Sequence, residues 1–174
     1  LAKALSRTQK GKNYKSFAEA RQNVSDMVGG RLEYNEDKKE WQFRDKSRRV
    51  YDIAATSEGV KKLSILDLLL GNHYLDNQSI ILIDEVEANL HPSLISRLLD
   101  TILSLANAGV QFFIASHSYF VIKRLYIMAH QKAMSIPVLS FEDGACQVGD
   151  LQREMPKNPI VDESINLYMD EISL

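Results

Sequence analysis

The stretch Ser79-Ile80-Ile81-Leu82-Ile83-Asp84-Glu85 sets the architecture, because four consecutive aliphatic residues run straight into two carboxylates. A continuous Ile/Leu run of this kind fits a strand covered on both faces. Downstream, Pro92 suits a first helical position, and Leu94, Ile95, Leu98, Leu99, Ile102, Leu103 and Ala106 form one apolar face that ends at Gly109. A second apolar run, Val110 to Ala115, leads into Ser116-His117-Ser118. Residues 119–132 then read as helix, and Ile136 to Phe141 as strand before Asp143-Gly144. Strand, helix, strand, helix, strand is the order of an α/β fold, a parallel sheet with crossover helices. Parallel strands direct their carboxyl ends to one edge. Asp84-Glu85 and Ser116-His117-Ser118 are therefore expected at the edge where open α/β sheets hold their ligands.

Upstream, Val60, Leu63, Leu66, Leu69 and Leu70 follow helical spacing up to Gly71. Before them, Leu32 and Tyr34, then Trp41 and Phe43, alternate with polar residues around Asn35-Glu36-Asp37-Lys38-Lys39, the pattern of a small antiparallel hairpin. Residues 2–28 read as helix closed by Gly29-Gly30, and Asn158-Pro159 introduces a last helix carrying Val161, Ile165, Tyr168 and Ile172. Three regions result: a basic helix and hairpin over 1–50, an α/β core over 51–157, and a C-terminal helix over 158–174.

Composition bounds the function classes. The chain has 174 residues, 45% hydrophobic and 25% charged, with a net charge of −2, which argues against disorder, collagen-like repeats and coiled coil. The first 50 residues hold 13 Lys/Arg against 7 Asp/Glu, a balance of +6, and the remainder carries −8. Such a basic segment is either a solvated face or a surface for nucleic acid or nucleotide phosphate. No apolar run approaches the ~18 residues of a membrane span and no signal peptide is evident, so a cytoplasmic protein with no membrane partner is expected. The lone Cys146 agrees with a reducing compartment and excludes a multi-cysteine metal site.

Carboxylates placed just after an aliphatic strand stand at the rim of a desolvated core, where an unpaired charge costs several kcal/mol. Mg²⁺ is the natural counter-ion for Asp84, since it takes hard oxygens and is typically bound by one or two carboxylates together with substrate phosphates. Glu85 would then accept a proton from an attacking water. The alternative is an acidic loop that caps the next helix. His117 is either a hydrogen-bonded structural residue or an imidazole in reach of the same phosphate. The lack of a Gly-x-Ser-x-Gly elbow argues against a serine hydrolase, and the scattered spacing of His73, His91 and His130 argues against zinc. Ser57-Glu58-Gly59 opens a helix as an anion site or as an ordinary N-cap.

Together, Ser57-x-Gly59 before a helix, Ile80 to Glu85, Glu87-Ala88-Asn89-Leu90-His91-Pro92 and Ala115-Ser116-His117-Ser118 resemble the C-terminal half of an ABC-class ATPase, a P-loop NTPase of the RecF/SMC/OLD-like branch often labelled AAA-family. The resemblance covers about residues 50–120. It implies ATP and Mg²⁺ as cofactors, with Asp84 as the Walker B metal residue, Glu85 as general base and His117 as the switch histidine on the γ-phosphate. It further implies that Ser57 and Gly59 form the signature motif touching ATP on the opposite protomer, and that Asn89 lies in a loop crossing that interface. An ATP-bound homodimer that works a nucleic acid or a nuclease partner is the implied assembly. A nucleotide-gated or DNA-associated module with incidental hydrolysis is the alternative.

The pattern departs from the wider class in two places. The signature reads Ser57-Glu58-Gly59-Val60-Lys61-Lys62-Leu63 rather than Leu-Ser-Gly-Gly-Gln, which favours the non-transporter branch. No Gly-x-x-x-x-Gly-Lys-[Ser/Thr] stands anywhere, since Gly11-Lys12-Asn13 lacks the earlier glycine and the hydroxyl. With Leu1 as first residue, this predicts that an N-terminal lobe carrying the phosphate loop has been removed, and little turnover by these residues alone.

Overall fold

A computed structural model describes residues 17–71 and 75–174. The part of the helix expected before Phe17, and Gly11-Lys12-Asn13, lie outside the described residues. The chain divides into two compact units, one up to Ile114 and one from Ala115 onward.

The first unit begins with α1 (Ala18–Val28), which buries Ala20, Val24, Met27 and Val28. Gly29 ends it in the left-handed region at φ 70°, a conformation without a Cβ penalty only for glycine. Next come β1 (Gly30–Asn35) and β2 (Glu40–Asp45), antiparallel from Gly30↔Asp45 to Asn35↔Glu40. The Tyr34 and Trp41 rings face each other across this register edge-on at 5.2 Å, an arrangement worth roughly 0.5–1.5 kcal/mol. A third strand, β3 (Val50–Asp52), pairs with β2 and makes the expected hairpin a three-stranded sheet. Three residues flanked by Arg48-Arg49 carry no alternation that sequence could register; only pairing defines them.

Helix α2 (Glu58–Gly71) buries Leu63, Leu66 and Leu70 and packs on α1 and β1. Asp67 of α2 meets Arg21 of α1 at 3.4 Å. Burial raises the Asp67 carboxyl above its ordinary range, and Arg21 offsets this only in part. Strand β4 (Ile80–Asp84) leads to α3 (Pro92–Asn107), whose N-cap is His91 and whose buried residues Ile95, Leu98, Leu99, Ile102, Leu103 and Leu105 also face α1. Each such side chain contributes roughly 1.5–3 kcal/mol when fully buried. Strand β5 (Gln111–Ala115) neighbours β4, and Gln111 N–H donates to the Ser79 carbonyl at 2.9 Å, so the strand starts lie side by side and the two run parallel with α3 as the crossover.

The expected cover on both faces of these strands is not met among the described residues. Ile80, Leu82 and Phe113 are 58%, 78% and 53% exposed, whereas the alternate residues Ile81, Ile83, Phe112 and Ile114 are half-buried. Side chains of a pleated strand alternate between faces, and the layer on these strands lies on one of them.

In the second unit, α4 (Tyr119–Gln131) packs against α5 (Pro159–Ile172). The strand expected at residues 136–141 is β6 (Pro137–Glu142), and it pairs antiparallel with β7 (Ala145–Asp150), from Pro137↔Asp150 to Glu142↔Ala145, through the Asp143-Gly144 turn. A two-residue turn of this type joins neighbouring antiparallel strands directly, which explains the pairing that the strand order did not foresee. Asn158 caps α5 by accepting from Val161 N–H at 3.0 Å, and its amide donates to the buried Ser140 hydroxyl of β6 at 3.2 Å. Of the apolar stripe expected on α5, Val161 is buried while Ile165, Tyr168 and Ile172 are exposed. Among the described residues no helix is long and apolar enough to cross a membrane.

Candidate functional site

The site residues of the first unit gather where the start of α2 meets the loop after β4. Asp84 is the last residue of β4, and its carboxylate is exposed with no hydrogen-bond or ion-pair partner among the described residues. Glu85 follows with φ 47°, a left-handed conformation uncommon outside glycine, asparagine and aspartate. Its carbonyl accepts from Ala88 N–H at 2.9 Å, and the carbonyl of Glu87 accepts from Leu90 N–H at 3.1 Å, so the loop folds as successive tight turns. Val86, 1% exposed, is buried between the exposed Glu85 and half-buried Glu87 and anchors the loop in the core. Asn89 is exposed and also left-handed at φ 60°. Backbone strain of this kind costs on the order of 1–3 kcal/mol per residue and persists only where neighbours hold it.

The neighbour is α2. Ser57 precedes the helix, and its hydroxyl accepts from Val60 N–H at 3.3 Å while its carbonyl accepts from Lys61 N–H at 3.0 Å. That is an N-cap, worth about 1 kcal/mol, and it satisfies the Val60 N–H of the first turn. Gly59 is buried, and a Cβ there would stand 2.4 Å from the Asn89 carbonyl oxygen and 2.8 Å from Leu90 Cδ2. Glycine is required because helix and loop backbones touch. Lys62 completes the seam by donating from Nζ to the Glu85 carbonyl at 3.1 Å, across 23 residues of sequence. Lys61 instead pairs with Glu58 at 2.6 Å.

Ser57, Gly59, Glu85 and Asn89 are thus drawn together by packing between α2 and the loop. His117 belongs to the second unit, exposed, two residues beyond the end of β5 in a turn where Ser118 N–H donates to the Ser116 hydroxyl at 3.1 Å. Sequence reasoning singled out no role for Lys62, because its contact joins distant segments and no spacing rule signals it.

The chemistry of Asp84 suits a divalent cation. Hard carboxylate oxygens that have no partner among the described residues match Mg²⁺, which keeps most of its waters and needs few protein ligands. Among the described residues no group of three or more His, Cys, Asp or Glu side chains could hold a metal by itself, which leaves the one-carboxylate arrangement as the kind this loop offers.

Comparison with known proteins follows the same outline. A family model described as "AAA domain, putative AbiEii toxin, Type IV TA system" matches residues 3–123. No curated protein sequence matches the chain. Among solved structures, an SMC head bound to the C-terminal winged-helix domain of ScpA matches with a TM-score of 0.54 at 20% identity, over 85% of this chain and 42% of that one. A structure from work on ATP-driven dimerisation and DNA-stimulated activation of SMC ATPases matches with a TM-score of 0.52 at 18% identity, over 92% and 94%. An Smc head domain with coiled coil and joint derived from Pyrococcus yayanosii matches with a TM-score of 0.50 at 23% identity, over 79% and 26%. The chain therefore spans 42% of the first of these structures, 26% of the third and nearly all of the second. At these identities the likeness concerns the fold.

Proposed function

The chain belongs to this AAA-domain family and has the fold of RecF/SMC-like ABC ATPases, and from that premise we propose that it supplies the catalytic acid pair and the signature helix of a Mg²⁺-dependent ATPase. The observation that carries the proposal is the Asp84 carboxylate at the end of a strand, without a partner among the described residues, followed at once by Glu85, left-handed at φ 47° and with its carbonyl accepting from Lys62 of the neighbouring helix.

Asp84 would hold Mg²⁺, which would supply neutralisation of charge on the triphosphate. The chain's own groups do the rest. Glu85 accepts a proton from water as the water oxygen bonds to the γ-phosphorus and the bond to the ADP oxygen breaks, yielding ADP and phosphate. Ser57 and the first-turn amides of α2 present an anion site to a second triphosphate, held by a partner copy, with Asn89 at the same interface. His117, in the second unit, is proposed as the switch histidine of the same reaction. Homodimerisation on ATP is the assembly this arrangement serves, and the SMC structure described by its ATP-driven dimerisation is the model for it.

The test is Glu85→Gln in the protein at its full natural length. ATP turnover should fall by roughly 10²–10⁴ while ATP still binds and drives dimerisation, and undiminished turnover would overturn the reading.

One observation favours a second reading, a nucleotide-gated module that binds nucleic acid. An open cavity of about 260 Å³ is lined by Ser25, Gly30, Arg31, Arg44, Asp45, Lys46 and Arg48. Arg31 and Arg44 already pair with Glu33, and Lys46 with Asp26, so much of this charge is spent internally. DNA affinity falling steeply with salt would support that reading, and indifference to DNA at low salt would remove it.

A further inference from the structure

The seam between α2 and the loop after β4 assigns Lys62 a task that the ATPase reading alone does not include. We propose that Lys62 is a positioning residue for Glu85: its ammonium holds the Glu85 peptide in the left-handed conformation that aims the carboxylate. The inference rests on Glu85 being the base.

Three observations carry it. Lys62 Nζ donates to the carbonyl oxygen of Glu85 itself, at 3.1 Å, and that oxygen already takes Ala88 N–H at 2.9 Å, so both acceptor positions are used. Glu85 has φ 47° and Asn89 φ 60°, so the loop needs external contacts at both ends to keep its shape. The Asn89 end is clamped by Gly59, where no Cβ fits, and the Glu85 end by Lys62. Gly59 and Lys62 lie three residues apart on α2 and so share one face of it. The adjacent Lys61 is engaged by Glu58 and does not substitute. The first turn of α2 and the base are accordingly one mechanical piece, and anything that shifts α2 along its axis shifts the Glu85 carboxylate.

The measurement is steady-state ATP hydrolysis by the protein at its full natural length, with Lys62→Met, which keeps the aliphatic stem and removes the donor. The turnover number should fall on the order of ten- to a hundredfold, as a small misplacement of a catalytic group does. KM for ATP should stay within about twofold. Lys62→Arg should restore most of the rate, since a guanidinium N–H reaches the same carbonyl. In the Glu85→Gln background, Lys62→Met should have no further effect, because a positioning residue acts only through the group it positions. Wild-type turnover in Lys62→Met, or an equal fractional loss in both backgrounds, overturns the inference and leaves the ATPase reading standing. Undiminished turnover in Glu85→Gln alone defeats the ATPase reading and this inference with it.

Discussion

The antiparallel sheet and the loop after β4 use carboxylates in opposite ways. In and around the sheet several acids meet a cation: Asp26 meets Lys46 at 3.3 Å, Glu33 meets Arg44 at 2.8 Å and Asp45 meets Arg49 at 3.0 Å. Gln22 and Lys46 hold the Asp26 carboxyl below its ordinary range. Burial would raise those of Glu33 and Asp45, but the bonds from Arg44 and Arg31 to the first, and from Arg49 and Tyr51 to the second, outweigh it. At the end of β4, Asp84 has no such partner among the described residues, although Lys61 and Lys62 lie on the adjoining helix. Lys61 turns to Glu58, and Lys62 turns to a backbone carbonyl. The difference teaches that these charges of the sheet close on one another as structure, while the Asp84 carboxylate at the strand end closes on no other described residue.

The sharpest way to break this comparison is Asp84→Asn. If the strand-end carboxylate is reserved for a cation, turnover should drop by at least about a hundredfold with folding stability unchanged, and raising Mg²⁺ should recover part of it. A loss of stability without any change in Mg²⁺ dependence would make Asp84 a structural acid like the others. Next in size is Gly59→Ala. A methyl 2.4 Å from the Asn89 carbonyl forces helix and loop apart, and a destabilisation of about 1–3 kcal/mol is expected in urea unfolding. The smallest effect belongs to the sheet. Glu33→Gln should cost only about 0.2–1 kcal/mol, since its pairing with Arg44 is partly exposed and screened, and should shrink further in high salt. The sign with pH follows from a depressed carboxyl. The contribution of Glu33 is present above its ordinary value of 4.5 and is lost as pH falls through the lower folded value, so the variant should match the parent in strongly acidic solution.

Much of the fold was legible because it rests on local rules. The four-residue aliphatic run ends in β4 at Asp84, Pro92 takes the first position of α3, and Gly29 stops α1 in the left-handed conformation. The start of α2 after Ser57 follows from N-cap chemistry alone. What escaped were elements that exist only through a partner. β3 is defined by β2, and β7 has neither alternation nor β-branched residues beyond Val148, so its pairing with β6 is what makes it a strand. Of the candidate site, the residues were legible and their arrangement was not. Nothing in the spacing of Gly59, Lys62, Glu85 and Asn89 says that one helix turn touches one loop.

By itself the sequence determined the residue types at the strand end and the helix start, because apolar periodicity, caps and glycine conformations act over a few neighbouring residues. Only the tertiary structure decided that the start of α2 meets the loop at Glu85 and Asn89, because a hydrogen bond across 23 residues and a backbone contact that excludes a methyl group arise from packing, which no local rule encodes.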